Sequence, residues 1–117
     1  MTDAAADVVV RLHAALDRRD LDAVMVLMHP DVRFENFLDG GELVGLVEVR
    51  AFYQRLFDTL SPGFDVLATE ILPDGRVRID MQVAVHDRSG HLWSDSRSGA
   101  VYSLADGLVT GVVLERA

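Results

Sequence analysis

Cysteine is absent from the 117-residue chain, so no disulfide framework, thiol nucleophile or cysteine-ligated metal can form, which fits a reducing compartment. Positive charge is scarce. Eleven basic against 19 acidic residues leave a formal net charge of -8, which repels phosphate backbones and anionic headgroups and argues against nucleic acid or a membrane as partner. No apolar run approaches the roughly 18 residues of a membrane span. Acids at Asp3 and Asp7 stand where an export signal needs a basic segment. The expectation is a soluble, unexported, cytoplasmic protein. Repeats, low-complexity tracts and linkers are missing as well, so residues 1–117 read as one domain. What is present is core material: half of the residues are hydrophobic, enough to bury a compact interior without disulfide or metal.

From Asp3 to Arg18, Ala5, Val8, Leu12, Ala15 and Leu16 fall at helical spacing, with Asp3 as the N-cap. Asp20 caps a second helix, because Leu21, Val24, Met25 and Met28 follow i, i+3, i+4, i+7 and His29-Pro30 stops the run. From Val32 to Phe37 the pattern alternates, so the inward face Val32, Phe34, Asn36 ends in an amide. Residues Asp39-Gly40-Gly41 form a loop. After Gly45, Val49, Phe52, Tyr53, Leu56 and Leu60 make one stripe of a third helix, closed by Ser61-Pro62-Gly63. The remainder predicts an antiparallel meander with strands from Phe64 to Leu72, Arg76 to His86, His91 to Leu104 and Leu108 to Glu115.

Two registers compete for the strand after the Asp87-Arg88-Ser89-Gly90 turn. A type I turn with a glycine bulge pairs Asp87 with His91, Val83 with Asp95 and Met81 with Arg97, and turns Trp93, Asp95 and Arg97 inward. A four-residue loop pairing His86 with His91 instead turns Leu92, Ser94 and Ser96 inward. The burial preference of tryptophan favours the first. Gly99 in mid-strand suggests a bulge that would switch the parity again before Tyr102.

This order of elements, with the segments Asp20-Leu21-Asp22, Val32-Arg33-Phe34-Glu35-Asn36, Gly45 leading into Val49-Arg50-Ala51-Phe52-Tyr53, and Val101-Tyr102-Ser103-Leu104, resembles the nuclear transport factor 2-like superfamily, including its SnoaL-like and ketosteroid isomerase-like groups. The resemblance implies an α+β fold: a cone-shaped, curved antiparallel sheet wrapped around three N-terminal helices, a cystatin-like α+β barrel with a pocket for a small, largely apolar molecule. It also implies a homodimer through the outer sheet face. The isomerase chemistry it brings to mind uses a carboxylate base, a tyrosine and a protonated aspartate. By the match these fall on Asn36, Leu12 and Ala100, and none of the three can move a proton at pH 7 or donate to an oxyanion as those groups do. Tyr53 matches a residue that supports the family's tyrosine. The limonene epoxide hydrolase-like group keeps an asparagine, matched by Asn36. Its tyrosine, arginine and two aspartates fall on Phe34, Met81, Val83 and Leu114.

The candidate ligand-binding residues are therefore Asn36, Phe34, Tyr53, Trp93, Leu12, Met81, Val83 and Ala100, with Asp95 as the one candidate acid or base. Each has a plainer reading. Asn36 satisfies a backbone group at a strand end, and Asp95 pairs with Arg97 or lies across from Gln82 on the outer face. His13 is turned about 100° from Leu12 on the helix and reads as a solvated or capping histidine, while Trp93 and Tyr102 fit pocket wall or packing equally. No pair among His13, His29, His86 and His91 has metal-ligand spacing. The expectation is a pocket protein needing no metal or cofactor: a cofactor-independent isomerase, cyclase or hydrolase, or alternatively a non-catalytic ligand-binding or dimerisation module.

Overall fold

The computed structural model describes residues 4–36 and 39–115. Along the chain run α1 (Ala4–Asp17), α2 (Leu21–Val26), β1 (Met28–Glu35), β2 (Glu42–Val44), α3 (Leu46–Thr59), β3 (Ser61–Ile71), β4 (Val77–His86), β5 (Leu92–Ala105) and β6 (Leu108–Glu115). One mixed six-stranded sheet in the order β2-β1-β6-β5-β4-β3 curves around the helices without closing. The expected cone-shaped α+β architecture is present, with one departure from a purely antiparallel sheet: β1 runs parallel to β6.

Helix α1 buries Val9, Leu12, Ala15 and Leu16. Its end is a Schellman motif, with Asp20 N–H donating to the Ala15 carbonyl and Arg19 N–H to that of Leu16. Arg19 takes the left-handed position, φ 60°, where glycine is the usual occupant. The cap expected at Asp3 lies outside the described residues. Asp20 does cap α2, accepting from the Ala23 N–H at 3.1 Å. Replacing Asp20 by Ala is expected to cost about 1 kcal/mol, read as a lower urea midpoint at unchanged slope.

Helix α2 ends earlier than the His29-Pro30 stop suggests. The Leu27 carbonyl accepts from Val109 N–H, and Met28 already pairs with Val109, so sheet pairing captures the segment that helical spacing had claimed. Pro30 lies where the β1–β6 register is interrupted, a place that needs no ladder donor. The alternation from Val32 holds through Glu35; Phe37 lies outside the described residues. Strand β2, not foreseen within the glycine-rich loop, pairs Arg33 with Val44 and Glu35 with Glu42. Helix α3 buries Val49, Phe52, Tyr53 and Leu56 as its stripe predicts. Ser61-Pro62-Gly63, expected as a loop, instead opens β3. Pro62 is tolerated there because β3 is an edge strand.

Strands β4 and β5 keep the turn of the first expected register and the inward Ser94 and Ser96 of the second, with strand pairings that match neither. Asp87 N–H donates to the His91 carbonyl, and Gly90 adopts φ 92°, so the turn is the glycine-bulge form. His86 then pairs with Leu92 but Val85 with Ser94. An extra residue at Trp93 forms a bulge and reverses the facing of everything beyond it. Beyond the bulge Val83 meets Ser96 and Met81 meets Ser98, while Asp95 lies beside Ala84 and Arg97 beside Gln82 on the outer face. The inward placement of Trp93, Asp95 and Arg97 is therefore corrected. Trp93 is 65% exposed, its indole N–H donating to Asp87 Oδ2. No bulge occurs at Gly99, which pairs regularly with Asp80 and Glu115. A Cβ there would lie 3.1 Å from Glu115 Oε1, so the Glu115 side chain would have to give way.

Candidate functional site

The interior between the helices and the concave sheet face is apolar, filled by Leu12, Val49, Ile79, Met81, Ala100 and their neighbours. Into it projects His13, the only buried polar or charged residue among the described residues besides the tyrosines Tyr53 and Tyr102. The solvated or capping role expected for it is thus corrected. Val9, Leu12, His13 and Leu16 share one buried arc of α1, because a core-facing arc more than about 100° wide accommodates adjacent positions. Tyr102 reaches His13 from β5, where its neighbours are Val77 of β4 and Val112 of β6. The imidazole Nε2 lies 2.5 Å from the Tyr102 hydroxyl. Phe64 of β3 packs edge-on against the imidazole at 5.9 Å.

Burial controls the protonation of this pair. Desolvation lowers the His13 pKa from 6.5 to about 4, against the pull of the Asp17 carboxylate one turn along the helix. His13 is therefore neutral at pH 7. Burial pushes the Tyr102 hydroxyl well above its ordinary pKa, and does the same to Tyr53, with Tyr102 adding a smaller push. A phenol O–H is a stronger donor than a neutral imidazole N–H, and an imidazole lone pair a stronger acceptor than a phenol oxygen. We accordingly assign the bond as Tyr102 O–H donating to His13 Nε2, which puts the ring proton on Nδ1. Nδ1 is buried and has no hydrogen-bond partner among the described residues. An unanswered buried donor of this kind is rare and costs about 1–3 kcal/mol.

The expected site residues divide into three groups. Leu12, Phe34, Tyr53, Met81 and Ala100 are buried in the same core as Tyr102, and Val83 is half-buried against it. Tyr53 lies in an aromatic cluster, 5.6 Å from Phe34, 5.5 Å from Phe52 and stacked on Phe57 at 5.9 Å. Asn36 stands apart, beside a surface groove of about 330 Å³ that Leu43, Glu48, Ala51, Phe52 and Arg55 also line. Its Oδ1 accepts from the Asp39 N–H at 3.0 Å, the strand-end role of the plainer reading. Trp93 and Asp95 form the third group, outside the cone. Asp95 Oδ1 accepts from Gln82 Nε2 at 2.6 Å, the alternative partner expected on the outer face.

Among the described residues no three of His, Asp and Glu gather closely enough to hold a metal ion, and no helix is long and apolar enough to cross a membrane. What the interior can do chemically is donate. A neutral imidazole N–H fixed by a tyrosine can bind or polarise a carbonyl oxygen, as preorganised donors in water-poor sites do.

Comparison with known proteins bears on this geometry. Residues 9–112 match the model of the SnoaL-like domain family, while no significant match is found among curated proteins. Several solved structures superpose on the chain. A candidate polyketide cyclase from Xanthomonas campestris pv. campestris has TM-score 0.83 at 23% identity, over 95% of this chain and 88% of that one. An NTF2-like protein of unknown function from Burkholderia pseudomallei has TM-score 0.84 at 19% identity, over 97% and 91%. A Mycobacterium tuberculosis protein in complex with estradiol-17beta-hemisuccinate has TM-score 0.87 at 17% identity, over 99% and 95%. At these identities the likeness is one of fold.

Proposed function

Because the chain belongs to the SnoaL-like domain family, we propose that it receives a small hydrophobic molecule bearing a carbonyl group, whose oxygen accepts the hydrogen bond that His13 Nδ1 has to give. The fold supports small-molecule binding or an isomerase- or cyclase-like role. The observation carrying the reading is the buried, unpartnered Nδ1 of an imidazole whose other nitrogen is held by Tyr102. Apolar walls with one oriented polar group are how small-molecule pockets achieve specificity. The steroid half-ester held by the Mycobacterium tuberculosis relative in fold joins an apolar body to an ester carbonyl and a free carboxyl group, and its apolar and carbonyl parts agree with the class of ligand proposed here.

A catalytic form of this reading, isomerase or cyclase without cofactor, draws on the low pKa of His13. A neutral imidazole donates to a developing enolate oxygen without surrendering its proton, a use known for histidines of depressed pKa. Among the described residues no carboxylate is buried, so an internal carboxylate base does not enter this form, and carbonyl polarisation is the chemistry that His13 supplies. The outer sheet face, with Val113 59% exposed, is the surface we assign to a homodimer; sedimentation giving only monomer would remove that assignment.

Acetophenone and ethylbenzene differ chiefly by a carbonyl, and they test the anchor. The expected result is that acetophenone binds about tenfold tighter, roughly 1.4 kcal/mol, with its largest NMR shift at the His13 ring, and that His13→Leu removes the preference. Equal affinities in the wild-type protein, or a preference that survives His13→Leu, would sink the proposal.

A further inference from the structure

The chain contains 11 basic side chains and all are arginine. Six of them, Arg33, Arg50, Arg55, Arg76, Arg78 and Arg97, have carboxylate partners. Arg19 and Arg88 have none within ion-pairing distance among the described residues, yet they line one groove of about 580 Å³ with Phe57, Leu60, Ser61 and His86. Arg11 and Arg18 share a second groove, but only the groove of Arg19 and Arg88 has an aromatic ring, Phe57, in its lining.

The two arginines are held differently. Arg19 starts from the left-handed end of α1, and its guanidinium is pinned by the Leu16 and Pro62 carbonyls at 3.0 and 2.6 Å. It lies over the Phe57 ring, 4.4 Å from the centroid. Partial burial lowers its pKa, more than the Asp17 carboxylate raises it, so the cation is partly desolvated. Arg88, on the exposed turn, is tethered by one bond to the Phe57 carbonyl at 3.0 Å. The acid that also lines the groove, Asp87, is turned into its own loop. Its Oδ1 accepts from Ser89 N–H, Ser89 Oγ and His91 N–H, and its Oδ2 from the Trp93 indole.

We propose that this groove binds a small carboxylate with a planar apolar body: Arg88 grips the carboxylate beside the fixed Arg19, and the ring rests on Leu60 and the uncovered edge of Phe57. Guanidinium groups suit this task because their planar donors meet a carboxylate two at a time. The site is distinct from the His13–Tyr102 pair, with Tyr53, stacked on Phe57, buried behind its floor. It stands or falls separately from the carbonyl-binding reading above.

The test is a titration of the 15N-labelled full chain with sodium benzoate, with benzamide as the uncharged comparator at equal ionic strength. Benzoate is expected to shift the amides of Ser61 and of His86 to Gly90. Affinity is expected to fall about tenfold for benzamide and for Arg88→Gln, as loss of a charge-assisted pair requires. Arg88 is exposed, and an otherwise unchanged amide spectrum verifies that the variant folds. The proposal is overturned if benzoate produces no shifts, if the shifts fall elsewhere, if benzamide binds equally, or if Arg88→Gln binds benzoate as the wild-type chain does.

Discussion

Replacing Tyr102 by phenylalanine is expected to destabilise the protein by about 1–3 kcal/mol, although the substitution removes a single oxygen. The ring fits as before; what changes is that His13 Nε2, 2.5 Å from the lost hydroxyl, becomes a second unanswered buried nitrogen beside Nδ1. His13→Leu is expected to cost less, because it strands the Tyr102 hydroxyl in the same apolar surroundings but also removes the unanswered Nδ1. The double variant His13→Leu, Tyr102→Phe should recover most of both losses, since replacing both partners of a buried polar pair by apolar groups of similar shape leaves nothing unsatisfied. Urea unfolding of all four proteins at pH 7.5 gives the cycle. Additive losses would show that the two side chains do not depend on each other, and the paired site would have to be abandoned. Recovered stability in the double variant with lost acetophenone binding would mark the pair as kept for function.

That pair also lies close to positions that the sequence resemblance singles out. Leu12 and Ala100, the positions that match the isomerase tyrosine and aspartate, are fully buried core residues. The buried polar pair lies one residue farther along α1, at His13, and two farther along β5, at Tyr102. On the strand a step of two keeps the same face. On the helix a step of one rotates about 100°, and the wide buried arc of α1 absorbs it.

Legibility in the sequence followed the range of the interactions. Local signals were readable: Asp20 caps α2, Val49 to Leu56 form the buried stripe of α3, and Val77, Ile79 and Met81 alternate inward on β4. Features requiring a distant partner were not. The end of α2 depends on Val109 of β6, and β2 exists only because β1 is there to pair with it. The facing of Asp95 turned on one bulge residue at Trp93, and the burial preference of tryptophan pointed the wrong way because Asp87 offers the indole an acceptor outside. His13 could have been found from Val9 and Leu16, which place it at i+4 and i-3 of two core residues. The resemblance instead places the isomerase tyrosine on its neighbour, Leu12.

Acid is expected to weaken this protein through His13 specifically. Its folded pKa, about 4, lies below the unfolded value of 6.5, so between these limits the unfolded chain binds the proton and the folded one does not. Stability from this group is therefore complete above pH 6.5 and falls as the pH drops toward 4, by about 2–3 kcal/mol between pH 7.5 and 4.5. The lowered pKa values of Asp74 and Asp87, set mainly by hydrogen bonds from Arg76 and Ser89, act at lower pH and are common to any variant that keeps them. The comparison that isolates His13 is thus wild type against the His13→Leu, Tyr102→Phe double variant, each unfolded by urea at both pH values. The wild-type protein should lose about 2–3 kcal/mol more than the variant over this interval. Equal losses would mean that His13 titrates alike in both states, which is incompatible with an imidazole sealed in the core. A ligand on Nδ1 should steepen the dependence, since it favours the neutral ring and deepens the penalty for protonating it.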